Sequence, residues 1–252
     1  MTNPLFQDLV KSDKQFNLIP YEHESQYKLR FQVSCANKRK FMPVTWRKKE
    51  NNFSIVVWKS NEPLSVLLQY AALSRNETLE WNSFKSESRK REWLTVRSAL
   101  QILIPGANGS SIYYDLNGKP QLLTEGFISI SHSQEFIAIM KSDNPEIGID
   151  IEIINNRIVN LSEKFLSDVE KLNVKAENRI EKLQVMWGAK EVLYKIHSIG
   201  GIDFKKDLRV QPFEYETPGD LFASIQKKGF QKDFKIFYEK IDQYMLSWAT
   251  GQ

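Results

Sequence analysis

Hydrophobic residues from Phe53 onward fall into two kinds of pattern. Compact runs rich in β-branched and aromatic residues are typical of strands. Such runs predict strands at 53–59, 111–114, 127–131, 136–141, 147–154, 208–210, 221–225, 234–238 and 244–249. Apolar residues spaced three and four apart, most clearly at Trp93, Val96 and Leu100, are typical of helices. Helices are predicted over 64–73, 86–103, 161–172 and 179–196.

The predicted strands occur in groups with helices between them, and they do not alternate one by one with helices. This order predicts an α+β fold. A strand followed by helices occurs in both halves of the chain, which favours a duplicated architecture. We therefore expect two similar α+β lobes, an N-terminal lobe over 1–125 and a C-terminal lobe over 126–252. Residues 1–50 are polar and rich in lysine, and they predict no clear element.

The charge balance narrows the classes of partner. The 252 residues include 35 Lys and Arg against 31 Asp and Glu, a net charge of +4. This mild excess suits an acidic partner or a polyphosphate ligand, and it does not require nucleic acid. Basic residues cluster at 38–40, 47–49 and 89–97, so a nucleic-acid-binding module remains an alternative reading.

Cysteine and histidine usage argues against two kinds of site. Cys35 is the single cysteine, so an internal disulfide and a cysteine-based metal site are excluded. The three histidines, His23, His132 and His197, lack the spacing of zinc ligands. No signal peptide and no apolar run long enough to span a bilayer is found, which predicts a cytoplasmic protein without membrane partners.

Two carboxylates lie two residues apart in a predicted strand. Asp150 and Glu152 belong to the run Ile147–Ile154, and residues two apart on a strand point to the same face. Neighbouring carboxylates repel each other unless a cation lies between them. Oxygen ligands of this kind are preferred by Mg²⁺, usually together with waters and phosphates. Alone, the pair is also compatible with an ordinary solvent-facing strand.

A second group of charged residues lies in the predicted helix 179–196. Glu191 and Lys195 are four residues apart and share a helix face, as an ordinary surface ion pair would. Trp187 is four residues before Glu191, and a large aromatic side chain there indicates a partly covered face. We therefore interpret Glu191 as a third metal ligand and Lys195 as a phosphate contact.

Three motifs in order resemble the signature of the 4′-phosphopantetheinyl transferases, in particular their surfactin-type, two-lobed branch. They are ISHS at 130–133, IGIDIE at 147–152 and W-x-x-KE-x-x-x-K at 187–195. The turn at 117–120, with Lys119, and Arg97 after a basic helix also match. Gly188 is a departure, because the family more often has Ser, Thr or Cys after the tryptophan, and close packing would explain it.

The resemblance implies an active site between the lobes and a set of site residues. It implies that Mg²⁺ binds to the acids and bridges to the diphosphate of coenzyme A, while basic and polar residues hold the phosphates and the nucleotide. It places Glu170 near the incoming serine. The implied metal ligands are Asp150, Glu152 and Glu191; the implied coenzyme A contacts are Lys195, Ser131, His132, Lys119 and Arg97.

The implied reaction moves phosphopantetheine from coenzyme A onto a serine of an apo acyl or peptidyl carrier protein and releases 3′,5′-ADP. Catalysis of this kind depends mainly on positioning and charge neutralisation. Glu170, Glu152 or a metal-bound water could accept the serine proton, and the sequence does not choose among them. We expect a monomer that does not bind nucleic acid. A homologue that binds coenzyme A or the carrier without turnover remains an alternative.

Overall fold

The computed structural model describes residues 44–104, 112–174, 176–198 and 200–251. The elements of this part of the chain are numbered here in chain order. The strands are β1 (Val44–Lys49), β2 (Phe53–Lys59), β3 (Ile112–Tyr114), β4 (Pro120–Leu122), β5 (Phe127–Ser133), β6 (Phe136–Ser142), β7 (Ile147–Ile153), β8 (Leu208–Val210), β9 (Gly219–Lys227), β10 (Phe230–Ile241) and β11 (Tyr244–Thr250). The helices are α1 (Leu64–Ala71), α2 (Arg75–Ser83), α3 (Glu87–Leu103), α4 (Arg157–Phe165), α5 (Asp168–Leu172) and α6 (Arg179–His197).

The first sheet has four antiparallel strands in the order β1-β2-β6-β5. The central strand β2 has the run IVVW fully buried, as expected for an apolar strand with both faces covered. Its Val56 and Trp58 face the helices α1 and α3, where they join a core with Trp93 and Leu100. Ile55 and Val57 point to the opposite face and join a second core.

The second sheet has five antiparallel strands in the order β7-β11-β10-β9-β8. Helix α6 packs across this sheet, and its Val185, Ala189 and Val192 are completely buried in the core beneath it. Side chains of α4, including Ile158 and Phe165, close the same core. Helix α6 is therefore fixed against the sheet that carries the predicted acids.

The two sheets share a third core. Ile55 and Met140 of the first sheet pack with Ile149, Ile151 and Trp248 of the second. These side chains come from β2 and β6 of the first sheet and from β7 and β11 of the second. Both sheets therefore contribute to one apolar interior. This shared interior holds β5 and β7 close together at the edges of their sheets.

The α+β class is confirmed, and the strands and helices differ from the predicted ranges mainly at their ends. The structure adds three elements: β1, which lies in the segment without a clear pattern, β4, which overlaps the end of the turn at 117–120, and α2, which begins after Ser74. The predicted helix 161–172 is two helices, because Ser167 caps a new helix with its side chain. Residues 105–106, shortly after the predicted helix 86–103, and Ser111 of the predicted strand 111–114 lie outside the described residues.

A repeated arrangement is visible in the element order. Strand β2 is followed by α1, α2 and α3, and strand β7 is followed by α4, α5 and α6. In each set the second helix begins with a capping box, in which a serine and a glutamate three residues later bond each other's backbone. In each set that glutamate also binds a cation on the long third helix, twenty residues further on.

The predicted lobes 1–125 and 126–252 stay a prediction. Strands β5 and β6 lie after residue 125, yet they pair into the first sheet with β1 and β2. The repeated set of elements begins again at β7, after the turn that follows β6. None of the described helices is both long enough and apolar enough to cross a membrane. The predicted cytoplasmic location also stays a prediction.

Candidate functional site

The two predicted acids lie on the face of β7 that meets helix α6. A side chain at Gly148, two residues before Asp150, would place its Cβ atom 2.4 Å from the carbonyl oxygen of Val192. Glycine at this position therefore allows the helix to approach the strand. Because Gly148, Asp150 and Glu152 alternate along the strand, both carboxylates share the face that Gly148 opens. The predicted common face is confirmed.

Helix α6 brings a cation directly onto Asp150. Lys195 Nζ donates to Oδ1 of Asp150 over 2.9 Å and to the carbonyl oxygen of Ile149 over 2.8 Å. The Asp150 side chain is 4% exposed, whereas that of Lys195 is 25% exposed. The ion pair is thus shielded on the aspartate side and reaches solvent through the lysine.

Three alternating serines of β5 face β7. Ser129 Oγ accepts from the backbone N–H of Ile149 over 3.1 Å. Ser131 Oγ donates to Oδ1 of Asp150 over 2.9 Å. Ser133 Oγ donates to Oε2 of Glu152 over 3.0 Å. The hydroxyls fasten the edge of the first sheet to the second and orient both carboxylates.

The third predicted acid, Glu191, is electrostatically coupled to the first two. Burial, followed by the charge of Asp150, raises the pKa of Glu191 to about 7, although Lys195 opposes the shift. Burial and then Asp150 also raise the pKa of Glu152, against the hydrogen bond from Ser133. Three acids share one partly buried region with a single lysine, so excess negative charge is disfavoured there.

The donor set suits a hard cation, but the side chains are not arranged around one. Oδ2 of Asp150 is buried and forms no hydrogen bond to a described residue. Carboxylate oxygens are the ligands of Mg²⁺, and a cation would relieve the repulsion among the acids. Among the residues described, no group of three or more acidic, His or Cys side chains has a metal-holding arrangement.

An open groove of about 430 Å³ adjoins the acids. Glu152 lines it, and Asp150, Glu191 and Lys195 do not. The remaining lining residues are Ile153, Asn155, Arg157, Ile158, Asn160, Leu161, Lys164, Gln184 and Trp187. The groove combines apolar walls with the basic side chains of Arg157 and Lys164. Glu152 is the residue that the groove shares with the acids near the Asp150–Lys195 ion pair.

Trp187 lies at the end of this groove in a set of aromatic contacts. Its ring centroid is 5.1 Å from that of Phe165 and 5.5 Å from that of Phe204. Such contacts fix the first turns of the motif on α6. The expectation that this helix face is partly covered is confirmed, because Trp187 and Glu191 are both half-buried.

The structure gives Glu170 an environment different from the predicted one. Its side chain is 3% exposed, and its Oε2 accepts from Lys190 Nζ over 2.9 Å and from both the backbone and the hydroxyl of Ser167 over 2.8 Å. Its Oε1 accepts from the backbone N–H of Val210 over 2.9 Å. Both oxygens of Glu170 therefore already have partners within the protein, and its predicted catalytic role stays a prediction.

Arg97, predicted to contact a phosphate, is buried and paired within the protein. It is 4% exposed and donates through Nε to Oε1 of Glu77 over 2.9 Å. Its guanidinium lies 3.1 Å from the ring centroid of Trp93, a cation–π contact. This arginine joins α3 to α2, and in this arrangement its charge is satisfied within the protein.

His132 and Lys119, two further predicted coenzyme A contacts, remain at least partly accessible. The side chain of His132 is 55% exposed, and its Nε2 lies 3.6 Å from Oε2 of Glu92. Lys119 Nζ donates to the Ser198 hydroxyl over 3.4 Å, which places it beside the end of α6. Burial lowers the pKa of Lys119. The predicted partners Ser131 and His132 point in opposite directions, because neighbouring strand residues alternate.

Comparison with known proteins bears on the second half of the chain. Residues 146–249 match the 4′-phosphopantetheinyl transferase superfamily. This stretch is less than half of the chain, and it includes Asp150, Glu152, Glu191 and Lys195. It begins after Ser131, His132, Lys119 and Arg97.

A curated relative points to the same family. The 4′-phosphopantetheinyl transferase AcpT of Escherichia coli O157:H7 is 29% identical over 118 residues. The aligned residues make up 42% of this chain and 57% of the relative, so somewhat more than half of that relative is matched. The similarity therefore supports the family in general, and the full activity is treated below as a proposal.

Sequence reasoning did not foresee the contacts of Ser133, Glu77 and Lys190 with Glu152, Arg97 and Glu170. Ser133 shares the alternation of Ser129 and Ser131, so its direction towards β7 was readable in principle. The capping boxes were also readable as Ser-x-x-Glu. The pairing of their glutamates with Arg97 and Lys190 cannot be inferred from the sequence, because it depends on helix packing.

Proposed function

We propose that this protein transfers 4′-phosphopantetheine from coenzyme A to a serine of an apo carrier protein and releases 3′,5′-ADP. One observation carries the proposal. Asp150, held by Lys195 and Ser131, is electrostatically coupled to Glu152 and Glu191 inside the stretch that matches the superfamily. A homologue that had lost the binding site would have no need to keep this charged set together, given the cost of burying like charges.

The acids Asp150, Glu152 and Glu191 are the residues that would hold Mg²⁺. When bound, the ion supplies charge neutralisation to a diphosphate. Lys195 provides a fixed positive charge beside Asp150 and keeps a quarter of its side chain exposed to solvent. A lysine in this position can bind a phosphate oxygen of coenzyme A and stabilise the charge that develops as 3′,5′-ADP leaves.

Glu152 is our candidate for the group that accepts the serine proton. It is the member of the acid set that lines the groove, where a serine hydroxyl of the carrier could approach. Ser133 fixes its orientation through Oε2. Burial and then the charge of Asp150 raise the pKa of Glu152 in the chain without metal. Glu170 is not included, because its oxygens are saturated.

The nucleotide end of coenzyme A is assigned to Lys119 and His132. Both side chains carry accessible nitrogen atoms, and Lys119 lies beside Ser198, three residues after Lys195. Ser131 acts on Asp150 in this proposal and does not contact the nucleotide. Arg97 supports the fold of the helices instead of gripping a phosphate.

The carrier partner and the subfamily are further parts of the proposal. The net charge of +4 and the basic residues Arg157 and Lys164 in the groove suit an acidic carrier protein. The ordered motifs favour the surfactin-type branch, acting as a monomer on acyl or peptidyl carriers. No observation favours nucleic acid as a partner over a carrier protein.

Mass spectrometry of apo carriers tests the proposal directly. Several apo acyl and peptidyl carriers are incubated with the protein, coenzyme A and Mg²⁺. The expected result is a mass gain of one phosphopantetheine on at least one carrier. This mass gain should be absent with Asp150→Ala or without Mg²⁺. A panel without any modified carrier, together with no thermal stabilisation by coenzyme A, would contradict the proposed activity.

A further inference from the structure

Two buried polar atoms without partners flank the same glycine. Ser247 Oγ on β11 and Oδ2 of Asp150 on β7 are buried, and neither forms a hydrogen bond to a described residue. A Cβ atom added at Gly188 of α6 would lie 2.5 Å from Ser247 Oγ and 3.8 Å from Oδ2 of Asp150. The hydroxyl of Ser247 therefore occupies the space that a side chain at position 188 would fill.

The strand register brings the two unpartnered atoms within reach of each other. Asp150 and Ser247 are directly opposite in the β7–β11 pair, and opposite residues of an antiparallel pair share a face. Their Cβ atoms are therefore about 4.5–5.5 Å apart. Rotation of the serine side chain about its Cα–Cβ bond can direct the hydroxyl to the carboxylate, and burying both groups unpaired is unfavourable.

We propose that Ser247 is a positioning residue for Asp150 and that Gly188 keeps the space in which it acts. The Ser247 hydroxyl donates to Oδ2, while Ser131 and Lys195 hold Oδ1. The carboxylate is then fixed from β11, β5 and α6. The contact stands on the geometry alone, whereas its importance for cation binding rests on the proposed function.

A double-mutant cycle tests the contact without any ligand. Unfolding by urea is measured for the full chain, Asp150→Asn, Ser247→Ala and the double variant. The expected coupling is about threefold or more in the unfolding equilibrium constant, as for a buried hydrogen bond to a charged group. Strictly additive effects would overturn the contact. Asp150→Asn paired with Ser224→Ala, a buried serine on β9 of the same sheet, should show no coupling.

Exchanging the two positions tests the positioning role. Mn²⁺ binding in the presence of coenzyme A is measured by electron paramagnetic resonance of the free ion. Ser247→Ala should weaken binding several-fold without unfolding the chain. The variant Gly188→Ser with Ser247→Ala moves the hydroxyl from strand to helix and should recover most of that loss. The matched variant Gly188→Ala with Ser247→Ala lacks a hydroxyl and should not recover it.

These outcomes separate the inference from the proposed function. Equal Mn²⁺ affinity for the natural chain and Ser247→Ala, or equal affinity for the two exchanged variants, would overturn the positioning role. If the natural chain modifies no carrier but the cycle shows coupling, the proposed function fails while the contact between Ser247 and Asp150 stands.

Discussion

Lys195 Nζ lies 2.9 Å from Oδ1 of Asp150 and joins helix α6 to strand β7 at the centre of the acid set. The lysine charge opposes the raised pKa values of both Glu152 and Glu191. A single side chain therefore supports the local fold and, in the proposed function, contacts a phosphate. These two roles can be separated by experiment.

Replacing Lys195 with Met should lower the rate of phosphopantetheine transfer by about 10²-fold or more, as for the loss of one transition-state donor. The acids would also repel each other more strongly, so the chain should unfold more easily at pH 8 than at pH 5.5. Steady-state transfer assays and urea unfolding at the two pH values measure both effects. Lys235→Met, on the distant strand β10, is the control. A transfer rate for Lys195→Met equal to that of the natural chain would show that this lysine does not act in the site.

Glu191 should make the chain without metal less stable as the pH rises. Its folded-state pKa of about 7 lies above the ordinary 4.5, so the folded chain binds the proton more tightly. The associated stability is present below about pH 4.5 and is lost as the pH rises through 7. At about 1.4 kcal/mol per unit of pKa, the loss is at most about 3 kcal/mol.

Glu191→Gln isolates this contribution because glutamine cannot ionise. Urea unfolding at pH 5.5 and pH 8 without divalent ions should show a smaller decline for this variant than for the natural chain. The same variant should lose transfer activity. At pH 8 it would therefore be more stable than the natural chain but inactive. Glu125→Gln, an exposed position, serves as the control. An identical decline in Glu191→Gln and the natural chain would contradict the raised pKa.

The acid set could be predicted from sequence because its members are linked by local periodicity. Asp150 and Glu152 share a strand face at a spacing of two, and Glu191 and Lys195 share a helix face at a spacing of four. The meeting of that strand face with that helix face is a tertiary fact. It depends on Gly148, whose missing side chain admits the backbone of Val192.

The roles of Arg97 and Glu170 could not be predicted in the same way. A basic or acidic residue next to a motif gives no sign of whether its partner is a ligand or a distant charge of the same chain. Helix packing brings Arg97 into an ion pair with Glu77 on α2, and Glu170 into an ion pair with Lys190 on α6. The repeated separation of twenty residues becomes meaningful only when both pairs are seen in contact.

Arg97 and Lys119 should respond differently to the same substitution. Arg97→Met leaves Glu77 buried without its partner and should cost about 3–5 kcal/mol of stability. The folded fraction should keep its KM for coenzyme A. Lys119→Met should raise that KM and leave stability nearly unchanged. A stable Arg97→Met protein with a raised KM would support a phosphate contact for Arg97 instead.

Glu170→Gln decides between a structural and a catalytic glutamate. Lys190 Nζ lies within hydrogen-bond distance of Glu170 and of the carbonyl oxygens of Phe165, Phe204 and Leu208, four acceptors that share its three N–H groups. The pair therefore ties three segments to α6. Removing either charge should cost about 3–5 kcal/mol, because the remaining charge is buried and uncompensated. Combining Glu170→Gln with Lys190→Met should cost less than the sum of the two changes.

The rate per folded molecule separates this structural role from proton transfer. Turnover is measured at a temperature well below the midpoint of each variant and is corrected for the folded fraction. Glu170→Gln and Lys190→Met should then retain turnover within a few-fold, whereas Glu152→Gln should lose about 10²-fold or more, as expected for a missing general base. A folded Glu170→Gln protein with that larger loss would return the base to Glu170 and require α5 to move away from Lys190 during the reaction.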